Sequence, residues 1–423
     1  MPNIRMNGIR DIGLTLCLAA NTVLAINCSA TAQTKDPIKF LFMDPMSGPF
    51  ALIGEIGVAH SKFAIDRINA RGGVLGGRKL EMVPYDDKLS PQEAVAGVQA
   101  AVDQGIRIVV HNTGAALASA ALEAVNKHNQ RNPEKSILFI SYSQDSTLTD
   151  KTCNYYMFRF SPNSDMNIAA MTVSMADDKN VKKIYVLNQD YSYGRSVQEA
   201  FRSMISQKLP GTEIVGDELH PLAKIKDFSP YVAKIKAAGA DTVFTSSWGS
   251  DLQLFARAVR DAGLPVKLYT SAAGGFGTPT AIGDAGIDRI VDTAPISMNV
   301  AVTEKRAELE KLGDEFKTAT KQDLYYIVIF EAMEMLARAM DKAGSAEPKL
   351  IAAALGGMEY DSPVGKVSMR AEDHQLLMPM YSSVFQKGLK YDVEGTGIGW
   401  NPVRRAELAD VTQPVKCRVS PPQ

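Results

Sequence analysis

The chain has 423 residues, 46 Lys+Arg against 47 Asp+Glu, and 45% hydrophobic residues. At roughly 100–200 residues per domain this length makes two or three domains, and 22% charged residues beside ordinary apolar content exclude a disordered chain. A formal net charge of −1, with no run of five or more Lys/Arg, lacks the basic field that nucleic-acid binding needs.

In chain order, Arg5 and Arg10 precede a mostly apolar stretch from Ile12 to Ile26, followed by Ala30-Thr31-Ala32 and a polar segment. This layout predicts a secretory signal peptide over residues 1–32, cut after Ala32. The stretch is too short for an ordinary membrane-spanning helix. The alternative is a lipoprotein signal acylated at Cys28. Cleavage after Ala32 removes Cys17 and Cys28, two of the four cysteines. Cys153 and Cys417 then sit in an oxidising compartment, where a disulfide between them is expected; two separate free thiols are the alternative.

The mature chain repeats a short apolar run, a turn and an amphipathic stretch of helical length. Predicted strands are Ile38–Met43, Leu80–Val83, Ile106–Val110, Ile137–Ile140, Ile184–Leu187, Thr242–Thr245 and Val266–Tyr269. Predicted helices between them are Ile56–Asn69, Pro91–Asp103, Ala115–Lys127, Arg195–Ser206, Pro230–Ala238 and Asp251–Ala262. Alternation of this kind makes parallel sheets from βαβ units. Ser90-Pro91-Gln92-Glu93 places a serine cap, a proline at the first helical position and a glutamate three residues after the cap. Ser229-Pro230 repeats the cap and proline, while Gly72-Gly73 and Gly239 end helices. Further on come helical stretches Glu304–Ala319 and Tyr325–Ala343, then β-like Lys366–Met369 and Tyr381–Phe385. These late pieces are too few for a third lobe and are expected to complete the first two. The segment from Asn401 to Gln423 is polar and is expected to wander unless Cys417 pins it.

Most catalytic chemistry finds no support. There is no GxxxxGK[ST] phosphate loop and no GxSxG elbow. Arg71-Gly-Gly-Val-Leu-Gly-Gly-Arg78 lies between a helix and a strand, the reverse of the order a phosphate cradle needs. The five histidines show no close ligand spacing, so neither a metal nor another cofactor is implied. What remains is the set of loops after the strands, where α/β sheets bind ligands. They run from Asp44 to Gly54, His111 to Ala116, Ser141 to Asp145, Asn188 to Gly194, Ser246 to Ser250 and Ser271 to Gly277. Small residues, hydroxyls and isolated aromatics dominate them, a lining for a small ligand held by amides and ring faces.

With these loops the chain resembles the periplasmic solute-binding proteins of ABC importers, of the leucine/isoleucine/valine-binding type. The resemblance runs from about Ile38 to about Phe385. Its marks are Met46-Ser-Gly-Pro49, Ala64-Ile-Asp-Arg-Ile-Asn-Ala-Arg-Gly-Gly73, Tyr85-Asp86-Asp87 with Pro91-Gln92-Glu93-Ala94, Tyr191-Ser-Tyr-Gly194, Asp227-Phe-Ser-Pro230 and Arg370-Ala-Glu-Asp-His-Gln375. It implies two doubly wound parallel-sheet lobes joined by three hinge crossings, near 160, 295 and 370. Lobe 1 would take residues 33–160 and 296–370, and lobe 2 residues 161–295 and 371–423. It implies no enzymatic activity, a monomer, and delivery of a small ligand to an inner-membrane ABC permease; a ligand-sensing receptor domain is the second class.

Carried over by position, the resemblance places a ligand carboxylate at Gly114 and Ala115 and at Tyr142, Ser143 and Gln144, with Asn112 also among the ligand-binding residues. Gly114 stands where the family has a serine. Tyr193, Trp248 and Tyr325 match aromatic ligand neighbours, and Phe50 and Ile53 close the first-lobe side. The acid that pairs with a ligand ammonium should fall near Ala272, yet Leu268–Gly277 contains no Asp or Glu. Either Asp145, Asp190 or Asp251 takes over, or the ligand has no amino group. The ligand classes are therefore a branched-chain or related amino acid, an aromatic or other small organic acid, which Trp248, Tyr193 and Phe276 would suit, and an amide.

Overall fold

Most apolar runs read from the sequence become strands buried on both faces, because helices cover both sides of the two large sheets; the Leu80–Val83 run is an exception, an edge strand that is largely half-buried. A computed structural model of the chain describes residues 36–422 except 276 and 393. The expected signal peptide with Cys17, Cys28 and the cut after Ala32, and also Phe276, lie outside the described residues.

The first sheet comprises β1 (Ile38–Asp44), β2 (Leu80–Asp86), β3 (Ile108–His111), β4 (Leu138–Ser141) and β5 (Met157–Arg159). They are all parallel, in the order β2-β1-β3-β4-β5. The second sheet repeats that order with β6 (Lys183–Gln189), β7 (Glu213–His220), β8 (Thr242–Thr245), β9 (Lys267–Thr270) and β10 (Ile290–Ala294). A small antiparallel sheet follows, made of β11 (Glu359–Ser362), β12 (Gly365–Met369) and β13 (Leu376–Leu377). Two antiparallel strands, β14 (Met380–Lys387) and β15 (Ile398–Ala406), then extend the second sheet beyond β10. Separate apolar clusters fill the two faces of each large sheet. The fold is α/β, with two doubly wound lobes.

The local signals act with two changes of detail. Ser90 caps its helix by accepting from the Glu93 amide, but the Glu93 carboxylate turns to Lys88 at 3.0 Å instead of back to the cap. Ser229 is the first helical residue rather than the cap, and its amide is held by the Asp227 side chain at 2.8 Å. Gly72, Gly73 and Gly239 do adopt the left-handed backbone that ends a helix.

The chain passes between the large sheets three times: after Arg159, after Ala294, and between Leu377 and Met380. The third passage comes later than expected. Residues near 375 stay with the first lobe because Gln375 bridges to Arg159, and β13 is paired with β12. The fully buried Arg159 donates from Nε to Gln375 Oε1 at 2.6 Å, and Gln375 Nε2 donates to Ser161 O at 2.8 Å. Two of the crossings are thereby pinned together.

The C-terminal segment does not wander. Residues 398–406 form the edge strand β15, whose one irregularity lies opposite Ser382/Ser383 and takes up Pro402 and Val403. The short helix Leu408–Val411 packs on helix Ser164–Asp177, and the tail returns to the first lobe, where Cys417 is disulfide-bonded to Cys153. Lys416 bridges Asp150 at 2.8 Å and Asp165 at 3.0 Å, and the Val419 amide donates to Glu372 O at 2.8 Å.

Candidate functional site

The carboxyl ends of β1, β3 and β4 face those of β6, β8 and β9 across a cavity of about 240 Å³. This is the position where doubly wound sheets bind ligands.

From the first lobe the cavity is bordered by Phe50 and Ile53, by Asn112, Gly114 and Ala115, and by Tyr142, Ser143 and Gln144. Gly114 sits at φ 103° just before the helix Ala115–Arg131, so the first amides of that helix, which have no intrahelical acceptor, lie at the cavity wall. The Tyr142 hydroxyl is buried without a protein partner, and burial raises its pKa. Tyr325 and Tyr326 complete this side. Their backbone amides both donate to His60 Nε2, at 3.2 Å each, and His60 Nδ1 donates to Ile56 O at 2.8 Å. That ring is thus held neutral; burial lowers its pKa to about 4.

From the second lobe come Tyr193, Trp248 and Ala272, together with Tyr191, Ser246 and Ser271. Trp248 Nε1 donates to the Tyr191 hydroxyl at 2.7 Å, and the indole packs on Phe50 across the cleft with ring centroids 4.7 Å apart. Gly249, at φ 61°, is required here, because a Cβ would stand 2.7 Å from the Phe50 ring. Tyr193 donates its hydroxyl proton to Gln144 Oε1 at 3.0 Å, a second contact between the lobes. The arrangement is closed.

Of the residues expected at the ligand, Asp190 alone lies away from the cavity. It is exposed and pairs with Arg195 at 2.7 Å. The other two acids considered for an ammonium also face elsewhere. Asp145 accepts from the Thr147 amide at 3.0 Å, and Asp251 accepts from Gln189 at 2.9 Å and the Ala223 amide at 2.8 Å. Among the described residues, no Asp, Glu, Lys, Arg or His side chain lines the cavity. An acid does stand close behind the Ala272 loop: Asp292 on β10 accepts from the Ala273 amide at 2.8 Å, and burial raises its pKa to about 7. Sequence reasoning missed it because it lies about twenty positions downstream and reaches the loop only through β9–β10 pairing. Tyr191 was legible in principle, since it shares its loop with Tyr193. Tyr326 had only its neighbour Tyr325 as a signal.

Two doubly wound lobes closed on one solute-sized, uncharged cavity define a binding protein of the clamp type. The chain belongs to the periplasmic binding protein family, whose model matches residues 37–388. It is similar to the Leu/Ile/Val-binding protein homolog 4 of Brucella abortus (strain 2308), 31% identical over 396 residues, 92% of this chain and 93% of that protein. Its fold matches the closed crystal structure of the leucine-, isoleucine-, valine-, threonine- and alanine-binding protein from Brucella ovis. That match has a TM-score of 0.82 and 30% identity, over 91% of this chain and 100% of the other. It also matches a solute-binding protein of an ABC transporter from Rhodopseudomonas palustris BisB5, in complex with 3,4-dihydroxybenzoic acid. There the TM-score is 0.75 and the identity 21%, over 88% and 98% of the two chains.

Proposed function

We infer that this protein is an extracytoplasmic solute-binding protein that captures a branched-chain or related amino acid and delivers it to an ABC permease. The observation that carries this reading is the cavity between lobes in mutual contact, with the start of helix Ala115–Arg131 in its wall. Helix amides there stabilise an anion without a buried cation, so a ligand carboxylate belongs at Gly114 and Ala115, with Asn112, Ser143 and Gln144 beside it. Phe50, Ile53 and Trp248 supply apolar walls of a size for a short aliphatic side chain, with Tyr193, Ala272 and Tyr325 on the remaining sides. The relatives named for leucine, isoleucine and valine support the amino-acid class. The N-terminal layout supports export to the periplasm. Closure of the lobes about the three crossings would present a ligand-dependent surface to the permease.

A second reading follows from the rings of Tyr193, Trp248 and Tyr325: the same carboxylate seat with an aromatic acid in place of the aliphatic chain. A thermal-shift panel of leucine, isoleucine, valine, benzoate-type acids and short amides separates the two. The first reading expects the branched-chain amino acids to raise the melting temperature most, by several degrees at saturation. A larger shift from the aromatic acids replaces it with the second, and no shift from any of them overturns both.

A further inference from the structure

The polarity of two side-chain amides at the cavity is set by their buried partners. Asn112 directs Nδ2 at Asp44 Oδ2, 2.7 Å away, and Asp44 is fully buried. An amide nitrogen donates only, and this acid oxygen accepts from it, so Asn112 Oδ1 is turned off Asp44. Among the described residues none donates to that oxygen, and Asn112 lines the cavity. Gln144 has the opposite setting. Its Oε1 accepts from Asn167 Nδ2 at 2.8 Å and from the Tyr193 hydroxyl at 3.0 Å, which fills both lone pairs and leaves Nε2 without an acceptor among the described residues. Asn167 and Tyr193 lie on helices Ser164–Asp177 and Ser192–Lys208 of the second lobe, so Gln144 takes this setting when the lobes close.

The two amides flank the same feature. Asn112 follows β3 directly and Gln144 lies three positions beyond β4; those strands are neighbours, roughly 5 Å apart, and helix Ala115–Arg131 starts between them. An acceptor, a donor and a helix start therefore share one wall. A carboxylate seated on the helix amides and Gln144 Nε2 would then carry the group on its adjacent carbon along the same wall as Asn112.

Building on the amino-acid reading above, we propose that Asn112 and Gln144 form a fixed acceptor–donor pair that selects carboxylates with an N–H or O–H donor on the adjacent carbon. α-Amino and α-hydroxy acids pass this filter and plain carboxylates do not. Asn112 is the specificity-determining residue, and a neutral carbonyl takes the place of the cavity-lining acid that the Ala272 loop itself lacks. Leaving that carbonyl unmatched in a closed cleft is what penalises a ligand without a donor.

Calorimetric titration with leucine, 2-hydroxy-4-methylpentanoate and 4-methylpentanoate tests this, because the three share a side chain and a carboxylate. Wild type is expected to bind the first two at least roughly tenfold more tightly than the third. Asn112→Leu should weaken leucine on the order of tenfold and leave 4-methylpentanoate within about threefold, collapsing the discrimination. Gln144→Leu should weaken all three together. Asn112→Ala serves the same purpose if the leucine variant does not fold, judged by the melting temperature without ligand. An equal loss of all three ligands in the Asn112 variants, or no loss of any, overturns the assignment. So does a wild type that binds leucine and 4-methylpentanoate equally, while the amino-acid reading survives. A wild type that binds none of the three overturns both.

Discussion

Trp248 is one of the residues on which the two lobes meet at the cavity. Its indole covers Phe50 and its ring nitrogen is committed to Tyr191, so the apolar face is what it offers a solute. Trp248→Ala should weaken the best ligand by roughly tenfold or more, through lost contact area, and leave the ligand-free melting temperature within a few degrees. Asp190 is the contrasting case. Exposed and paired with Arg195, it should tolerate Asp190→Asn with affinity within about twofold by calorimetry. His60 has a measurable protonation state. Its folded pKa of about 4 lies below the ordinary 6.5, so the stability it carries is complete above pH 6.5 and is lost as the pH falls toward 4. NMR titration should find the neutral Nδ1–H tautomer with a midpoint near 4; a midpoint near 6.5 would mean its two backbone donors are not in place.

At the scale of elements, what could be read from the sequence depended on burial. β3, β4 and β8 are buried at every position, and their apolar runs locate them. β7 is half-buried along most of its length at the sheet edge, and β15 carries Pro402 and two arginines, so neither shows a run or a clean alternation. Of the site, the residues that follow visible strands were legible: Asn112 to Ala115, Tyr142 to Gln144, and Trp248. Asp292 and His60 were not. They act from other strands and helices through contacts that only tertiary structure creates. The returning tail makes a further prediction. Its disulfide ties β15, on the second lobe, to the β4–β5 connection on the first. Cys417→Ser should cost roughly 2–4 kcal/mol by removing a constraint on the unfolded chain, seen as a lower melting temperature under oxidising conditions. An unchanged melting temperature would mean the strap contributes no net stability.

At the scale of the whole molecule, one architecture appears twice, and the cavity lies where the two copies face each other. The resemblance supplied what periodicity lacked, namely how the late segments return to each lobe. The shared order of the parallel strands in both large sheets and the family membership agree with the fold class it implied. The fine position of the third crossing was not legible, because the Arg159–Gln375 tie that delays it joins residues more than two hundred positions apart. The central claim is that one solute binds between the lobes, against Trp248. The chain has two tryptophans, and the second, Trp400, is buried outside the cavity on β15. A Trp400→Phe variant therefore makes Trp248 the sole tryptophan reporter. Titrating it with the ligand that gives the largest thermal shift should change the Trp248 emission saturably, with one-to-one stoichiometry and the affinity found by calorimetry. A ligand that binds by calorimetry yet leaves that emission unchanged would contradict the account.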